Sequence, residues 1–202
     1  GIVAEGRLAS VIMEDRLGPW VFENGKLSET PAPQALGAFR ARDVSIKGAN
    51  AVDPNGNIGV LAADGGGGTV GGIWGTLTAR GAHWVAPVSL ERLVPDVIEA
   101  ARECGNHLWD LTMGQSAGLM PVVNAQVVTE IEAIAILSGV KATHVASGGV
   151  SGSEGAVMLS LTGEEADVRA AFEMLEGIKG EEQFESPRLI PYIREPETAP
   201  SA

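Results

Sequence analysis

The chain has 202 residues, of which 45% are hydrophobic, and its mean hydropathy is positive. This composition is typical of a folded chain with a substantial core, in one large domain or two small ones, and it excludes disorder over most of the length. The 26 acidic and 14 basic residues give a formal net charge of -12. Such a charge repels phosphate backbones and anionic lipid surfaces, so neither nucleic acid nor a membrane is expected as a partner.

The cysteine content and the apolar runs indicate the compartment. The single cysteine, Cys104, cannot form a disulfide within the chain, and its acidic neighbours disfavour a reactive thiolate. No apolar run approaches the roughly 20 residues of a membrane span, and the first residues lack the basic start and apolar stretch of a signal peptide. We therefore expect a cytoplasmic protein, and the sequence predicts neither a metal site nor a cofactor.

The first half of the chain alternates between strand and helix signals. The predicted elements are strands within 2–12 and over 43–48, 58–62 and 84–88, and helices over 34–40, 73–80 and 95–102. The strongest turn signal is Asp-Pro-Asn-Gly-Asn at 53–57, and residues 64–72 form a loop with six glycines in nine residues. This alternation is typical of an open sheet with covering helices.

The second half follows a different order. The predicted elements are strands over 120–123, 143–148, 156–161 and 188–193, and helices over 125–138 and 164–177. The resulting βαββαβ order matches the ferredoxin-like split unit. We predict an α/β ligand-binding domain over 1–118, a ferredoxin-like module over 119–195 and a frayed tail over 196–202.

Two segments of this second half have alternative interpretations. Residues 148–155 are interpreted as the tip of a hairpin rather than as a second ligand loop, because a hairpin needs turn residues there. Phe172 and Met174 are expected in the core, because the apolar residues of their helix lie on one face.

The glycine-rich loop is the strongest candidate for a ligand site. Successive backbone N–H groups followed by a helix start can bind an anion, and a hydroxyl adds one more donor. The residues concerned are Gly65, Gly66, Gly67, Gly68 and Thr69. The alternative is a flexible surface loop, because such a loop loses much entropy on ordering and no Walker lysine–serine pair follows it.

A second group of candidates follows two of the predicted strands. Lys47 ends an apolar strand, where its ammonium can pair with a phosphate or carboxylate, although an edge lysine that reaches solvent is the alternative. Gly48 and Asn50 follow on the same turn. For Asp53 a turn-capping role is favoured over that of a base, and for Glu91 the capping of a helix is favoured over a place in the cleft.

The remaining polar residues give weaker signals. His83, His107 and His144 show no spacing for a metal or a catalytic triad, so structural roles are favoured. Residues 113–120 form a small-residue segment between the two halves, which either lines a cleft through Gln115 and Ser116 or is a plain connector.

Two stretches carry a resemblance to a known superfamily. They are Asp-Val-Ser-Ile-Lys-Gly-Ala-Asn-Ala-Val-Asp at 43–53, with Gly56, Gly59 and the glycine–threonine segment, and His-Trp-Val-Ala-Pro-Val-Ser-Leu-Glu-Arg-Leu-Val-Pro at 83–95. The first stretch resembles the superfamily of ribose-5-phosphate isomerase, glucosamine-6-phosphate deaminase and CoA transferases, and the stretch at 83–95 is most similar to the lactate-utilisation branch of that superfamily. Together they cover about residues 40–103.

The resemblance implies a three-layer α/β domain that binds a phosphorylated sugar, a CoA ester or a related anion at the carboxyl edge of its sheet. The chain departs from the isomerase branch at 49–51, where Ala-Asn-Ala replaces a paired acidic motif. It also offers no clear match to the glutamate nucleophile of the CoA-transferase branch. The catalytic residues, if any, are therefore not assigned.

These observations predict a protein that binds a small anionic metabolite, such as a phosphorylated sugar, a CoA ester or a hydroxy acid. Isomerisation and acyl or CoA transfer are the reactions that the resemblance implies. The alternative is a non-catalytic binding or assembly protein, which the missing acid/base pair favours. We also expect a homo-oligomer in which the second half contributes to assembly and hides the strand over 156–161.

Overall fold

The computed structural model describes residues 2–4, 6–180 and 188–191. The strands are β1 (Ile2–Ala4), β2 (Arg7–Ala9), β3 (Val21–Glu23), β4 (Lys26–Ser28), β5 (Val44–Ile46), β6 (Ala51–Val52), β7 (Ile58–Ala62), β8 (His83–Pro87), β9 (Gly118–Val122), β10 (Gln126–Val128), β11 (Lys141–Ser147) and β12 (Val157–Thr162). The helices are α1 (Ala32–Ala38), α2 (Gly68–Arg80), α3 (Val97–Arg102), α4 (Glu130–Ser138) and α5 (Glu165–Ile178), with 3-10 turns at Met13–Asp15 and Leu90–Arg92. The mixed α/β class is confirmed. In the described part of the chain, no helix is long and apolar enough to cross a membrane.

Two three-stranded sheets and α2 enclose the main core. Strands β5, β8 and β10 form a parallel sheet in the order β10-β8-β5, and β6, β7 and β9 form an antiparallel sheet in the order β6-β7-β9. Both sheets and α2 contribute buried side chains, among them Ile58, Val70, Leu77, Trp84, Ala86 and Val122. Burying an aliphatic side chain of this size contributes about 1.5–3 kcal/mol, so this core fixes how the two sheets lie against each other.

Helix α2 begins at Gly68, whereas the sequence predicts a helix only from residue 73. Glycine disfavours helix by about 1 kcal/mol relative to alanine, which is why the pattern predicts a loop here. Packing overrides that preference: Val70 and Leu77 are buried in the core, and a side chain at Gly71 would overlap the carbonyl of Gly66. The close approach of loop and helix therefore requires glycine at position 71.

The helix predicted over 125–138 begins only at Glu130, and residues 126–128 are the parallel strand β10. A capping box sets this start. The Thr129 hydroxyl accepts a hydrogen bond from the Ile131 N–H, and the Glu132 carboxylate accepts one from the Thr129 N–H at 2.8 Å. Because the box begins the helix at this point, Val127 and Val128 remain free to pair with β8.

Strands β11 and β12 form the predicted hairpin, with residues 148–156 as their connection and a register shift between His144 and Ala146. Helices α4 and α5 cover one face through Ile134 and Ala171, and Val140, just before β11, is buried in the same cluster. Both strands begin and end within two residues of their predicted bounds.

The other strands predicted for the ferredoxin-like module lie elsewhere. Strand β9 pairs with β7, so hydrogen bonding crosses the predicted domain boundary at residue 118. Residues 188–191 lie beside the N-terminal segment, where the Ile12 N–H donates to the Arg188 carbonyl and the Ile190 N–H donates to the Ser10 carbonyl. The rest of that predicted strand and the predicted frayed tail lie outside the described residues.

One prediction about the core is wrong. Phe172 is 56% exposed, whereas Met174 is half-buried. The face of α5 that reaches β11 and β12 carries Val168, Ala171 and Leu175. Because successive helical residues are turned by about 100°, Phe172 lies at the flank of that face, beside Val168, and most of its side chain remains in solvent.

Candidate functional site at the carboxyl edge of the parallel sheet

The three parallel strands end side by side. The chain continues from β5 into Lys47, whose N–H donates to the Val85 carbonyl at 3.0 Å. From β8 it continues into Val88, whose N–H donates to the Val128 carbonyl at 3.0 Å. The residues after β5, β8 and β10 therefore share the carboxyl edge of one sheet, which is the usual ligand position in open α/β sheets.

Lys47 has the most unusual electrostatic surroundings at this edge. Its side chain is partly buried, and burial lowers the pKa of its ammonium below the usual value. Among the residues that the structure describes, no carboxylate forms an ion pair with it. The cation has lost water without gaining a counter-ion, and an anionic ligand would supply one.

Arg92 is a second cation at the edge, which the sequence reasoning missed. One terminal nitrogen of its guanidinium donates to the Ala49 carbonyl at 2.5 Å, and Nε lies 3.3 Å from the Glu91 carboxylate. Arg92 thus joins the turn after β8 to the segment that follows Lys47. Arg92 follows the strand predicted over 84–88 by four residues and stands next to Glu91. That position could have marked it as a candidate for the ligand site.

Glu91 does not provide the cap that was favoured for it. The cap of the Leu90–Arg92 turn is the Ser89 hydroxyl, which accepts the Glu91 N–H at 3.2 Å. The Glu91 carboxylate instead faces Arg92 and lies so close to Gly155, in the β11–β12 connection, that a side chain there would overlap it. This brings the hairpin connection against the edge.

The side chains of Asn50 and Asp53 accept hydrogen bonds from backbone N–H groups of other segments. Asn50 Oδ1 accepts the Leu61 N–H at 3.0 Å, which fastens the segment after Lys47 to β7. Asp53 is 3% exposed and accepts hydrogen bonds from the N–H groups of Asn55, Asn57 and Val97 and from Asn57 Nδ2. These bonds are those of a turn cap, and they argue against a place for Asp53 among the ligand-binding residues, because its oxygens are buried and already bonded.

The same bonds also fix the charge of Asp53. Burial raises the pKa of its carboxyl, but the hydrogen bonds from the Asn57 side chain and the three backbone N–H groups outweigh burial and hold the pKa below its ordinary value. Asp53 is therefore ionised at neutral pH and stabilises both its own turn and the start of α3.

The glycine-rich loop is organised by its own carboxylate. Asp64 Oδ1 accepts the N–H groups of Gly66 at 2.9 Å and Gly68 at 3.2 Å, and the Asp64 carbonyl accepts the N–H of Gly67 at 3.0 Å. An external anion on Gly66 and Gly68 would have to displace Asp64. Gly65 and Thr69 are exposed, whereas Gly67 packs against the Met120 side chain.

The structure thus brings only part of the predicted site together. Lys47, Gly48 and Glu91 lie at the carboxyl edge with Arg92, and Asn50 follows them into the antiparallel sheet. The glycine-rich loop follows β7 in that second sheet and packs against β9. The loop and the edge are therefore separate elements that Asn50 connects through its bond to β7.

Gln115 and Ser116, in the segment over 113–120, form hydrogen bonds with other residues of the chain. Gln115 Oε1 accepts the Ser10 hydroxyl at 2.5 Å, and the Ser116 hydroxyl donates to the Asn106 carbonyl at 2.8 Å. These bonds support the connector interpretation. Burial raises the pKa of the Cys104 thiol, partly offset by a hydrogen bond from the backbone of Leu119, which agrees with an unreactive thiol.

His144 has a structural role in β11, as the sequence favoured. His144 Nε2 lies 3.1 Å from the Ala146 carbonyl and 2.7 Å from the Ser147 hydroxyl, where it bridges the register shift in β11. The residues that the structure describes contain no group of three or more His, Cys, Asp and Glu side chains that could hold a metal ion.

Two open grooves lie away from the edge. One of about 680 Å³ runs between α5 and the end of β12, and one of about 430 Å³ lies beside β2 and Trp109. The carboxyl edge is therefore distinguished by its charges and strand ends, whereas these two grooves lie elsewhere. Comparison with protein-family models, curated proteins and solved structures finds no match to this chain.

Proposed function

We propose that this protein binds a small anionic metabolite at the carboxyl edge of the parallel sheet, with Lys47 as the principal charged contact. The observation that carries the proposal is the partial burial of the Lys47 ammonium without an ion pair among the described residues. Charge-assisted hydrogen bonds contribute about 1.5–3 kcal/mol each, so a phosphate or carboxylate at Lys47 gains appreciable binding energy.

Arg92 supports an anion rather than a neutral ligand. A guanidinium has five N–H donors, and the bonds to the Ala49 carbonyl and the Glu91 carboxylate use only some of them. A ligand with a planar carboxylate or a phosphate is suited to the remaining donors. Phosphorylated sugars, CoA esters and hydroxy acids all carry such a group.

The proposed binding site could belong to an enzyme or to a non-catalytic binding protein. The positions of the carboxylates at the edge favour the non-catalytic protein. Glu91 faces Arg92, and Glu130 accepts the Leu90 N–H at 2.9 Å. Isomerisation or acyl transfer needs an acid/base group or a nucleophile beside the ligand. An enzyme of the resembled superfamily would have to release Glu91 from Arg92 on binding its substrate.

The proposal also includes the arrangement of the layers. We infer that the two three-stranded sheets and α2 form the core of the three-layer domain that the resemblance implies. The hairpin with α4 and α5 has the order of the middle part of a βαββαβ unit, whereas β9 and residues 188–191, predicted as its outer strands, pair with β7 and with residues 10–12. The boundary between residues 118 and 119 is a prediction of the same kind.

Isothermal calorimetry tests the proposed function with a fixed panel of inorganic phosphate, ribose 5-phosphate, glucosamine 6-phosphate, lactate and acetyl-CoA. We expect at least one to bind, and the Lys47→Met variant to bind it about 10- to 100-fold more weakly. Lys141→Met, at an exposed lysine at the start of β11, is the matched control and should retain the affinity. The proposal is wrong if no panel member binds at millimolar concentration, or if both variants bind equally well.

A further inference from the structure

The outer surface of α5 combines an exposed aromatic side chain with an open groove. The groove of about 680 Å³ has apolar lining from Val168, Phe172 and Leu161, and its other helix residues are charged: Glu165, Arg169, Glu173 and Glu176. Phe172 is 56% exposed, and Ile178 at the end of the same helix is also exposed. An aromatic side chain in this position contributes little to the core of its own chain.

Five exposed residues form a line along this surface, and we name it the α5 stripe: Glu165, Arg169, Phe172, Glu176 and Lys179. Their spacing alternates between four and three residues, so they follow one face of the helix and its end. Their order is negative, positive, aromatic, negative, positive. Glu165 and Arg169 are bonded at 2.7 Å within the chain, but both remain exposed and able to contact a partner.

This order is complementary to itself when two copies run antiparallel. A two-fold axis at Phe172 places Glu165 opposite Lys179 of the partner subunit and Arg169 opposite Glu176 of the partner subunit. The two phenylalanines then meet at the axis, beside the groove. Reversing the partner to a parallel orientation would place like charges opposite each other, so the charges select the antiparallel arrangement.

From this pattern we propose that the chain forms a homodimer through the α5 stripe. Each charged pair occurs twice and the contact between the two phenylalanines lies on the axis, as a two-fold interface requires. Burying Phe172 supplies the apolar centre, and the charged pairs form a rim that fixes the orientation.

The edge of β12 gives independent support for a partner at this surface. Among the described residues, β12 pairs only with β11, and the chain segment predicted to complete its sheet lies beside residues 10–12 instead. The six residues of β12 include no charge and no proline, which are the devices that usually protect an open edge. The groove between α5 and the end of β12 connects the α5 stripe to this strand, so a second copy on the stripe would lie beside the end of β12.

Light scattering and sedimentation velocity over about 5–200 micromolar protein test the dimer, since specific interfaces of ordinary size form in this range. We expect a concentration-dependent dimer. Arg169→Glu alone and Glu176→Arg alone should each weaken it about tenfold or more, because each places like charges in contact. The double variant Arg169→Glu with Glu176→Arg restores opposite charges and should recover most of the affinity.

Two further variants separate the interface from general effects. Phe172→Ser should abolish the dimer with unchanged circular dichroism, because Phe172 is exposed within one chain. Arg102→Glu, at an exposed arginine in the last turn of α3, should have no effect. A chain that is monomeric at about 200 micromolar overturns the proposal, as does a double variant no stronger than the single ones. Binding of a synthetic peptide of alternating lysine and valine to a monomeric chain would assign this face to a basic partner and would also overturn it.

Discussion

Asp53 and Asp64 are two carboxylates that gather backbone N–H groups in different surroundings. Asp53 is 3% exposed and fastens its own turn to α3, which begins 44 residues later in the sequence. Asp64 is exposed, and the bonds to its side chain stay within the next four residues. Hydrogen bonds from backbone N–H groups to a carboxylate therefore stabilise the fold where water is excluded. At the surface, water or a ligand can take the place of the carboxylate.

Replacement of Asp53 by alanine should give the largest loss of stability. The N–H groups of Asn55, Asn57 and Val97 would lose their partner in a buried place, at about 1–3 kcal/mol for each unsatisfied group. We therefore expect the free energy of unfolding to fall by about 3 kcal/mol or more in urea denaturation. A loss no greater than that of Asp64→Ala would remove the contrast between the two residues.

Acid should remove the stabilisation that the Asp53 carboxylate provides, at a pH below that at which ordinary carboxylates are protonated. Its pKa is lowered in the folded state, so its stabilisation is full above the unfolded value of about 3.9 and is lost as the pH falls toward the folded value. Asp53→Asn lacks this titration. The difference in unfolding free energy between the wild type and Asp53→Asn should shrink as the pH falls from about 5 through the unfolded value of about 3.9 and below it, and a constant difference would contradict this assignment.

The contribution of Thr129 to stability is expected to lie between those of Asp53 and Asp64. It is 8% exposed, and its hydroxyl and N–H take part in the capping box with Glu132 at the start of α4. Loss of an N-cap costs about 1 kcal/mol, so Thr129→Ala should fall between Asp53→Ala and Asp64→Ala in chemical denaturation. Thr129→Ser keeps the hydroxyl and should recover most of the loss.

Asp64→Ala should have the smallest effect on stability, about 0.5 kcal/mol, because water can replace the exposed carboxylate. It should also expose the N–H groups of Gly66 and Gly68 to external anions. We expect inorganic phosphate to raise the melting temperature of this variant more than that of the wild type, by mass action. An equal response in thermal-shift measurements would mean that the loop binds no anion even when its own carboxylate is removed.

Predictions from local chemistry agree best with the structure. The turn over 53–57 and the strand Ile58–Ala62 lie where the sequence predicts them, because Asp, Pro and Asn-Gly fix backbone angles within a few residues. The position of Lys47 after a strand was equally predictable. The Thr-x-x-Glu signal at 129–132 was present as well, and its neglect placed the start of α4 too early.

The amino-acid sequence alone was enough to predict the α/β class, the strands β5, β7 and β8, the hairpin of the second half and the location of a lysine at a strand end. The strands β3, β4 and β6 were not predicted. Tertiary packing was needed to establish which strands pair, that Arg92 meets the carbonyl of Ala49 across 43 residues, and that Phe172 faces outward. Turns and caps depend on neighbours within one or two turns of chain, whereas pairing and burial depend on which distant surfaces exclude water together. Composition and periodicity do not record that choice, because the backbone N–H and C=O groups of β9 and β10 are the same whichever strand they pair with.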